Sequence, residues 1–149
     1  LSKSSDALTG AAAHQLRVIR RAGVDPVASN QVDEVLRRSE LVVDALVGYS
    51  LRGAPRGRLA ELIELCNERA ARVISLDLPS GLDATTGEEP GASVHPERTL
   101  TLALPKTGLR RLHGELYLAD IGIPPAVYAA IGLSFVWPVV GRYWTLLET

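Results

Sequence analysis

Three segments of this chain carry side chains able to do chemistry, and each follows a run of apolar residues. Asp44 interrupts the run Leu41-Val-Val-Asp-Ala-Leu46. A carboxylate inside an apolar strand is costly unless it is hydrogen-bonded, paired or bound to a cation. A strand-end Asp that simply caps the following loop would also account for it. Asp77-Leu-Pro-Ser-Gly-Leu-Asp83 directly follows the run Val73-Ile-Ser-Leu76. Pro79 and Gly81 force a tight loop there, which turns Ser80 and the nearby amides towards the strand end. Asp77 then stands where the strand stops, its carboxylate over the crevice. Asp and Ser are common turn formers, so a purely structural role stays open. Lys106 follows the alternating run Thr99-Leu-Thr-Leu-Ala-Leu104 through Pro105. A lysine so placed either reaches the same crevice or lies on the surface.

Several chemistries are excluded by spacing. Ser80 lacks the flanking glycines of a hydrolase elbow, because positions 78 and 82 are both Leu. Gly48, Gly53 and Gly57 do not fit the dinucleotide fingerprint, and no Walker A lysine pattern occurs. Arg52, Arg56 and Arg58 lie in or beside that glycine-rich loop, where arginines and backbone amides can hold a phosphate or simply face water. His14, His95 and His113 are too far apart for zinc-ligand spacing. Cys66 is the single cysteine, so no intrachain disulfide forms and a reducing compartment is expected. The 149 residues suit one domain. A net charge of −1 lacks the basic excess of a duplex-binding protein. No apolar run approaches the roughly 20 residues of a membrane helix.

These residues need elements to position them. Ser5 or Asp6 is a candidate helix cap, with Leu8, Ala12, Leu16 and Ile19 at helical spacing and Gly23 as the stop. Gln31 to Arg38 reads as a second, short helix. Leu59, Leu62, Ile63 and Cys66 recur at i, i+3, i+4 and i+7 and predict a third. The runs 41–46, 73–76, 99–104 and 115–118 read as strands. Pro79 to Ser93 reads as a long loop, and the tail after Val127 as irregular. Trp137 and Trp144 are expected to pack on the body or on a partner. Strand, helix, strand, loop, strand predicts a mostly parallel sheet with helices on its faces. Such sheets bind ligands outside the carboxyl ends of their strands.

Taken in order, the segments resemble one family. Asp44-Ala-Leu-Val-Gly48 with Leu51-Arg-Gly53, the run Val73 to Asp83, Gly87, Thr99-Leu-Thr-Leu102, Pro105-Lys-Thr-Gly-Leu109, Gly114 and Ala119-Asp-Ile-Gly-Ile-Pro124 are similar to the YjeF N-terminal domain, the NAD(P)H-hydrate epimerase. The resemblance runs from about residue 6 to 132. It implies an α/β fold, a Rossmann-like three-layer α/β/α sandwich with a mostly parallel sheet. It implies epimerisation of the R and S forms of hydrated NADH and NADPH, a cofactor-repair reaction. It implies a potassium ion, for which Asp44 and Ser80 match two ligands. The loop Gly48, Tyr49, Ser50, Leu51, Arg52, Gly53 and Ala54 matches the substrate-binding loop, and Asp77 matches a substrate-contacting acid. On position and chemistry Asp77 is the expected acid/base, with Lys106 holding it ionised or orienting the substrate.

Family members carry an Asn- and Gly-rich loop upstream that nothing in residues 1–40 matches, and the chain starts at Leu1 with no methionine. Residues 1–149 are therefore expected to form a single YjeF N-terminal-type domain lacking its N-terminal portion. The small-molecule substrate is the expected partner, with no nucleic acid and no membrane. A homodimer, a fused or partner ADP/ATP-dependent dehydratase and a cytoplasmic location are also expected. The competing class is a non-catalytic binding or scaffold module of the same fold.

Overall fold

A computed structural model describes residues 8–49, 51–135, 137–138 and 141–148. Four parallel strands, β1 (Val42–Asp44), β2 (Val73–Leu76), β3 (Arg98–Leu102) and β4 (Glu115–Ala119), lie side by side in chain order. β5 (Trp144–Leu147) adds an antiparallel edge beside β4. This is the mixed α/β, mostly parallel sheet that the strand–helix alternation predicts.

The register explains why polar residues sit inside. Asp44 pairs with Ser75, Ser75 with Thr99, and Thr99 with Leu116, so one row of the inner face runs from a carboxylate to a leucine. Asp44, Ser75, Thr99 and Leu116 are all buried. Helix α3 (Arg58–Arg69) covers the β1–β2 end of this face through Ile63 and Cys66, which pack on Val73 and Val94. Burial first, and the negative charge of Asp44 second, push the Cys66 thiol up to about 11. Cys66 is therefore an unreactive packing residue. The β3–β5 end of the face is covered by the long loop and by a 3-10 turn over Thr107–Arg111. There Leu78, Leu82 and Leu109 meet Leu116, with Leu147 at the side. Gly81 lets the loop lie this close: at φ 103° a Cβ there would stand 2.2 Å from the Ala92 carbonyl oxygen.

The opposite face is partly bare. Val43, Leu76, Trp144 and Leu146 alternate with the buried set and are exposed. Tyr117 partly shields this side by an edge-on contact with Trp144, ring centroids 5.6 Å apart.

The helices differ from expectation mainly at their ends. Helix α1 (Gly10–Arg21) begins after Thr9, and the expected caps Ser5 and Asp6 lie outside the described residues. Only Leu16 of its apolar set is fully buried. Helix α2 (Val32–Arg38) is tied to α3 by Asp33, which accepts from Arg69 Nε at 2.6 Å. The tail after Val127 corrects the sequence reading. Helix α4 (Pro125–Ala130) starts on a proline whose fixed φ suits a first turn, and β5 follows. Trp144-Thr-Leu-Leu147 is short and lacks polar alternation, so periodicity alone did not mark it as a strand. Among the described residues no helix is long and apolar enough to cross a membrane.

Leu118 is 2% exposed and Leu76 is 41% exposed on the other face. Leu118→Ala should cost about 2–5 kcal/mol in urea unfolding. Leu76→Ala should cost less than about 1 kcal/mol, and equal losses would contradict the assignment of inner and outer faces.

Candidate active site

Parallel strands end along one edge, so β1, β2 and β3 deliver their last residues to the same rim. Two polar assemblies form there, one on each side of β2.

The first is built on Asp44, which is 2% exposed. Its Oδ2 accepts from the Ser75 hydroxyl at 2.7 Å and from the Ser80 amide at 2.9 Å. Its Oδ1 accepts from the Ser80 hydroxyl at 2.6 Å and from the Leu46 amide at 3.3 Å. A carboxylate has about four acceptor positions; three are taken by the Ser75 hydroxyl and the Ser80 and Leu46 amides, and the fourth depends on where the Ser80 hydroxyl hydrogen points. The structure thus brings Asp44 and Ser80 together. The cap reading of Asp44 also holds, because the Leu46 amide is one of its donors.

The oxygens around Ser80 bear on a cation. Ser80 Oγ accepts from the Val47 amide at 3.0 Å and has two oxygens in donor range, Asp44 Oδ1 at 2.6 Å and the Val47 carbonyl at 3.0 Å. One hydroxyl hydrogen serves only one of them at a time, so three oxygens share one proton. Such a set fits a hard, oxygen-ligated ion in kind. Among the described residues no group of three His, Cys, Asp or Glu side chains is placed to hold a metal ion. Any shell here therefore relies on hydroxyl and carbonyl oxygens beside the single carboxylate.

The second assembly is built on Asp77, which turns the other way, towards β3. Its Oδ1 accepts from the Leu102 amide at 3.0 Å and from the Lys106 ammonium, and lies 3.4 Å from the Thr101 hydroxyl. Every one of these contacts goes to Oδ1, and Oδ2 receives no hydrogen bond among the described residues. The backbone here is constrained. Asp77 has φ 71° and Ala103, at the end of β3, has φ 64°. Asp tolerates that region through local hydrogen bonding, whereas Ala has no such compensation. Two strand ends in the left-handed region are the local strain that functional rims often hold. The strain also ends β3 at Leu102, short of the expected Leu104.

The predicted loop after β1 divides. Gly48, Tyr49, Leu51 and Arg52 line a cavity of about 440 Å³. Gly53 and Ala54 leave it; a Cβ on Gly91 would stand 2.9 Å from Ala54 Cβ, so Ala54 packs on the long loop instead. Ser50 lies outside the described residues. Of the three arginines near this loop only Arg52 lines the cavity, while Arg58 donates to Glu61 at 3.1 Å. The far wall is Leu82 to Thr85. Asp83 in that wall takes the amides of Thr86 and Thr85, each at 2.8 Å, which hold its carboxyl below the usual range. Asp44 and Ser80 are buried and do not line this cavity, and neither do Asp77 and Lys106; Lys106 lines a separate cavity with Pro105, Thr107 and Leu109.

Sequence reasoning missed Ser75, Val47, Thr101 and the Leu82–Thr85 wall. Of these, Ser75 left a signal: it is a hydroxyl inside an otherwise apolar strand.

A mostly parallel sheet with a lysine–aspartate ion pair and a cavity near the carboxyl ends of its strands has the layout in which α/β folds carry small-molecule sites. The family model described as YjeF-related protein N-terminus matches residues 1–108, and the chain belongs to that family. It is 50% identical over 143 residues to an NAD(P)H-hydrate epimerase of Dehalogenimonas lykanthroporepellens, covering 93% of this chain and 56% of that protein. It is 46% identical over 99 residues to an NAD(P)H-hydrate epimerase of Truepera radiovictrix, covering 64% of this chain and 45% of that one. A bifunctional NAD(P)H-hydrate repair enzyme Nnr of Hyperthermus butylicus is 38% identical over 109 residues, 71% of this chain and 20% of that protein. The chain thus spans about half the length of the epimerases it matches. Among solved structures, yeast ynu0, YNL200c, shares the fold with a TM-score of 0.68 at 22% identity, over 91% of this chain and 58% of that one.

Asp44→Ala would strand the Ser75 hydroxyl and the Ser80 amide in the core, while the Ser80 hydroxyl keeps the Val47 carbonyl. The expected cost is about 2–5 kcal/mol in urea unfolding. A loss below about 1 kcal/mol would show that the carboxylate does not anchor the loop after β2.

Proposed function

We propose that the chain carries the epimerase site for hydrated NADH and NADPH, with Asp77 as the acid/base. The observation that carries this reading is the posture of Asp77 in a chain of this family. One carboxylate oxygen is fixed by Lys106 and the Leu102 amide, and the other is left free at the strand end. A base must keep one oxygen for the proton it moves. Inverting the hydroxyl-bearing carbon of the reduced nicotinamide ring needs loss and return of water, or ring opening, and either route needs a proton carried to and from that ring. Asp77 is the group we assign to that proton. Lys106 holds the carboxylate in place. The phosphates of the substrate would lie in the cavity between Gly48–Arg52 and Leu82–Thr85, where Arg52 is the lining cation, and the ring would reach beyond it to Asp77, which is not part of its lining.

The Asp44–Ser80 assembly has a different task in this reading. Together with the Val47 carbonyl it would hold a potassium ion, which supplies fixed positive charge behind the substrate loop. The relatives named bifunctional are longer proteins and support a fused or partner ADP/ATP-dependent dehydratase that consumes the epimerised cofactor.

Asp77→Asn should lower the rate of interconversion of R- and S-hydrated NADPH by about 10²–10⁴, followed by chiral chromatography. A mutant within about twofold of the parent would remove Asp77 from the mechanism. A parent chain that binds hydrated NADPH but does not interconvert its forms would favour the non-catalytic module.

A further inference from the structure

The Lys106 ammonium has all three of its N–H donors engaged within the protein. They go to the Asp77 carboxylate, to the Thr101 hydroxyl at 3.3 Å and to the Leu102 carbonyl at 3.1 Å. An ammonium has three donors and no acceptor, so its capacity is filled. The Thr101 hydroxyl accepts from Lys106 and faces Asp77 Oδ1 at 3.4 Å with its own hydrogen to give. Lysine to threonine, threonine to aspartate and lysine to aspartate therefore close a ring of three groups. Thr101 has no exposed surface and is held in β3 by its pairing with Leu118 of β4, one residue past the last β2–β3 pair at Leu100. Its position is thus set by the sheet, whereas Lys106 lies on a turn and Asp77 at a strained strand end.

Thr99 supplies an internal comparison. It stands two residues earlier on the same face, is equally buried, and its hydroxyl has no hydrogen-bond partner. At position 99 the β-branched shape is what the core uses. At position 101 the hydroxyl is used as well.

We infer that Thr101 is the positioning residue of the acid–base pair. Its hydroxyl fixes the Lys106 ammonium on Asp77 Oδ1 and so leaves Oδ2 as the unpaired oxygen. The inference rests on the reading of Asp77 as the acid/base. Thr101 touches neither substrate nor reacting atoms; it transmits the rigidity of β3 to a pair that would otherwise share a turn and a loop end.

The test uses Thr101→Val, Thr101→Ser and Thr99→Val in this chain, with two readouts. The first is steady-state epimerisation. Thr101→Val should lower kcat about ten- to a hundredfold with KM changed by less than about twofold, since misplacement of a catalytic group by 1 Å costs on that scale. Thr101→Ser restores the hydroxyl and should recover kcat to within about threefold, and Thr99→Val should match the parent. The second readout needs no turnover. The Lys106 ammonium should give a resolved, slowly exchanging ¹H–¹⁵N signal in the parent chain, in Thr101→Ser and in Thr99→Val. In Thr101→Val one donor is freed, and exchange should accelerate about tenfold, the effect expected of losing one hydrogen bond to a charged group. Unchanged kcat and unchanged Lys106 exchange in Thr101→Val would overturn the inference. Equal losses in Thr101→Val and Thr99→Val would also overturn it, because they would report packing. Failure of the acid/base reading looks different: Asp77→Asn then turns over normally, while the Lys106 signal still responds to Thr101→Val.

Discussion

A carboxylate removed from water has to recover its hydrogen bonds from the protein, and the site depends on how Asp44 does so. Four donors from β1's own loop, from β2 and from the segment beyond β2 converge on its two oxygens. Each oxygen takes one donor from Ser80. The chain leaving β2 is thereby pinned back onto β1 within a few residues of the strand end. Gly81, whose missing side chain admits the Ala92 carbonyl, then allows the rest of the loop to lie across the inner face. Leu78 and Leu82 enter the core on either side of this anchor. The cavity wall at Leu82–Thr85 and the position of Asp77 both follow from that anchoring.

The two acids at this rim have opposite fates although they lie on adjacent strands. Asp44 points inward on the parity of the buried face, with both oxygens paired. Asp77 lies one residue past the end of β2, reverses its backbone at φ 71° and uses only one oxygen. Burial with complete pairing suits an anchor or an ion ligand. Half-pairing at a strand end suits proton transfer. The sheet is what keeps the roles apart, since Asp44 stands on β1 and takes donors from β2 and its loop, while Asp77 turns from the end of β2 to partners on and after β3.

Much of this was legible in the sequence. Val73-Ile-Ser-Leu76 is one strand in sequence and in structure, because four apolar or small residues bounded by Arg72 and Asp77 leave little choice. Helix α3 was marked by its apolar stripe, which is the stripe that packs. Asp77 and Lys106, separated by 28 residues, were each notable for standing just past an apolar run; their pairing was one of two roles expected of Lys106, and its geometry depends on the parallel pairing of β2 with β3. Thr101 was hidden by a different cause. Alternating Thr and Leu reads as an ordinary half-buried strand, and pattern alone does not say that the threonine side faces inward. Strand β5 went unseen because its pairing is set by β4 and by the contact of Trp144 with Tyr117, which are tertiary.

The bare outer face, with Val43, Leu76 and Leu146 exposed, contrasts with the closed inner face against which the site is built. Parallel sheets in α/β proteins ordinarily bury both. All the polar anchoring described above belongs to the inner face and to the carboxyl rim, so the location of the ligand is the central claim. Amide ¹H–¹⁵N shift mapping during titration with hydrated NADPH tests it most directly. The account predicts perturbations at Gly48, Tyr49 and Arg52, at Asp83 to Thr85 and at Asp77. Perturbations centred instead on the amino ends of the strands, around His95 and His113, would contradict it.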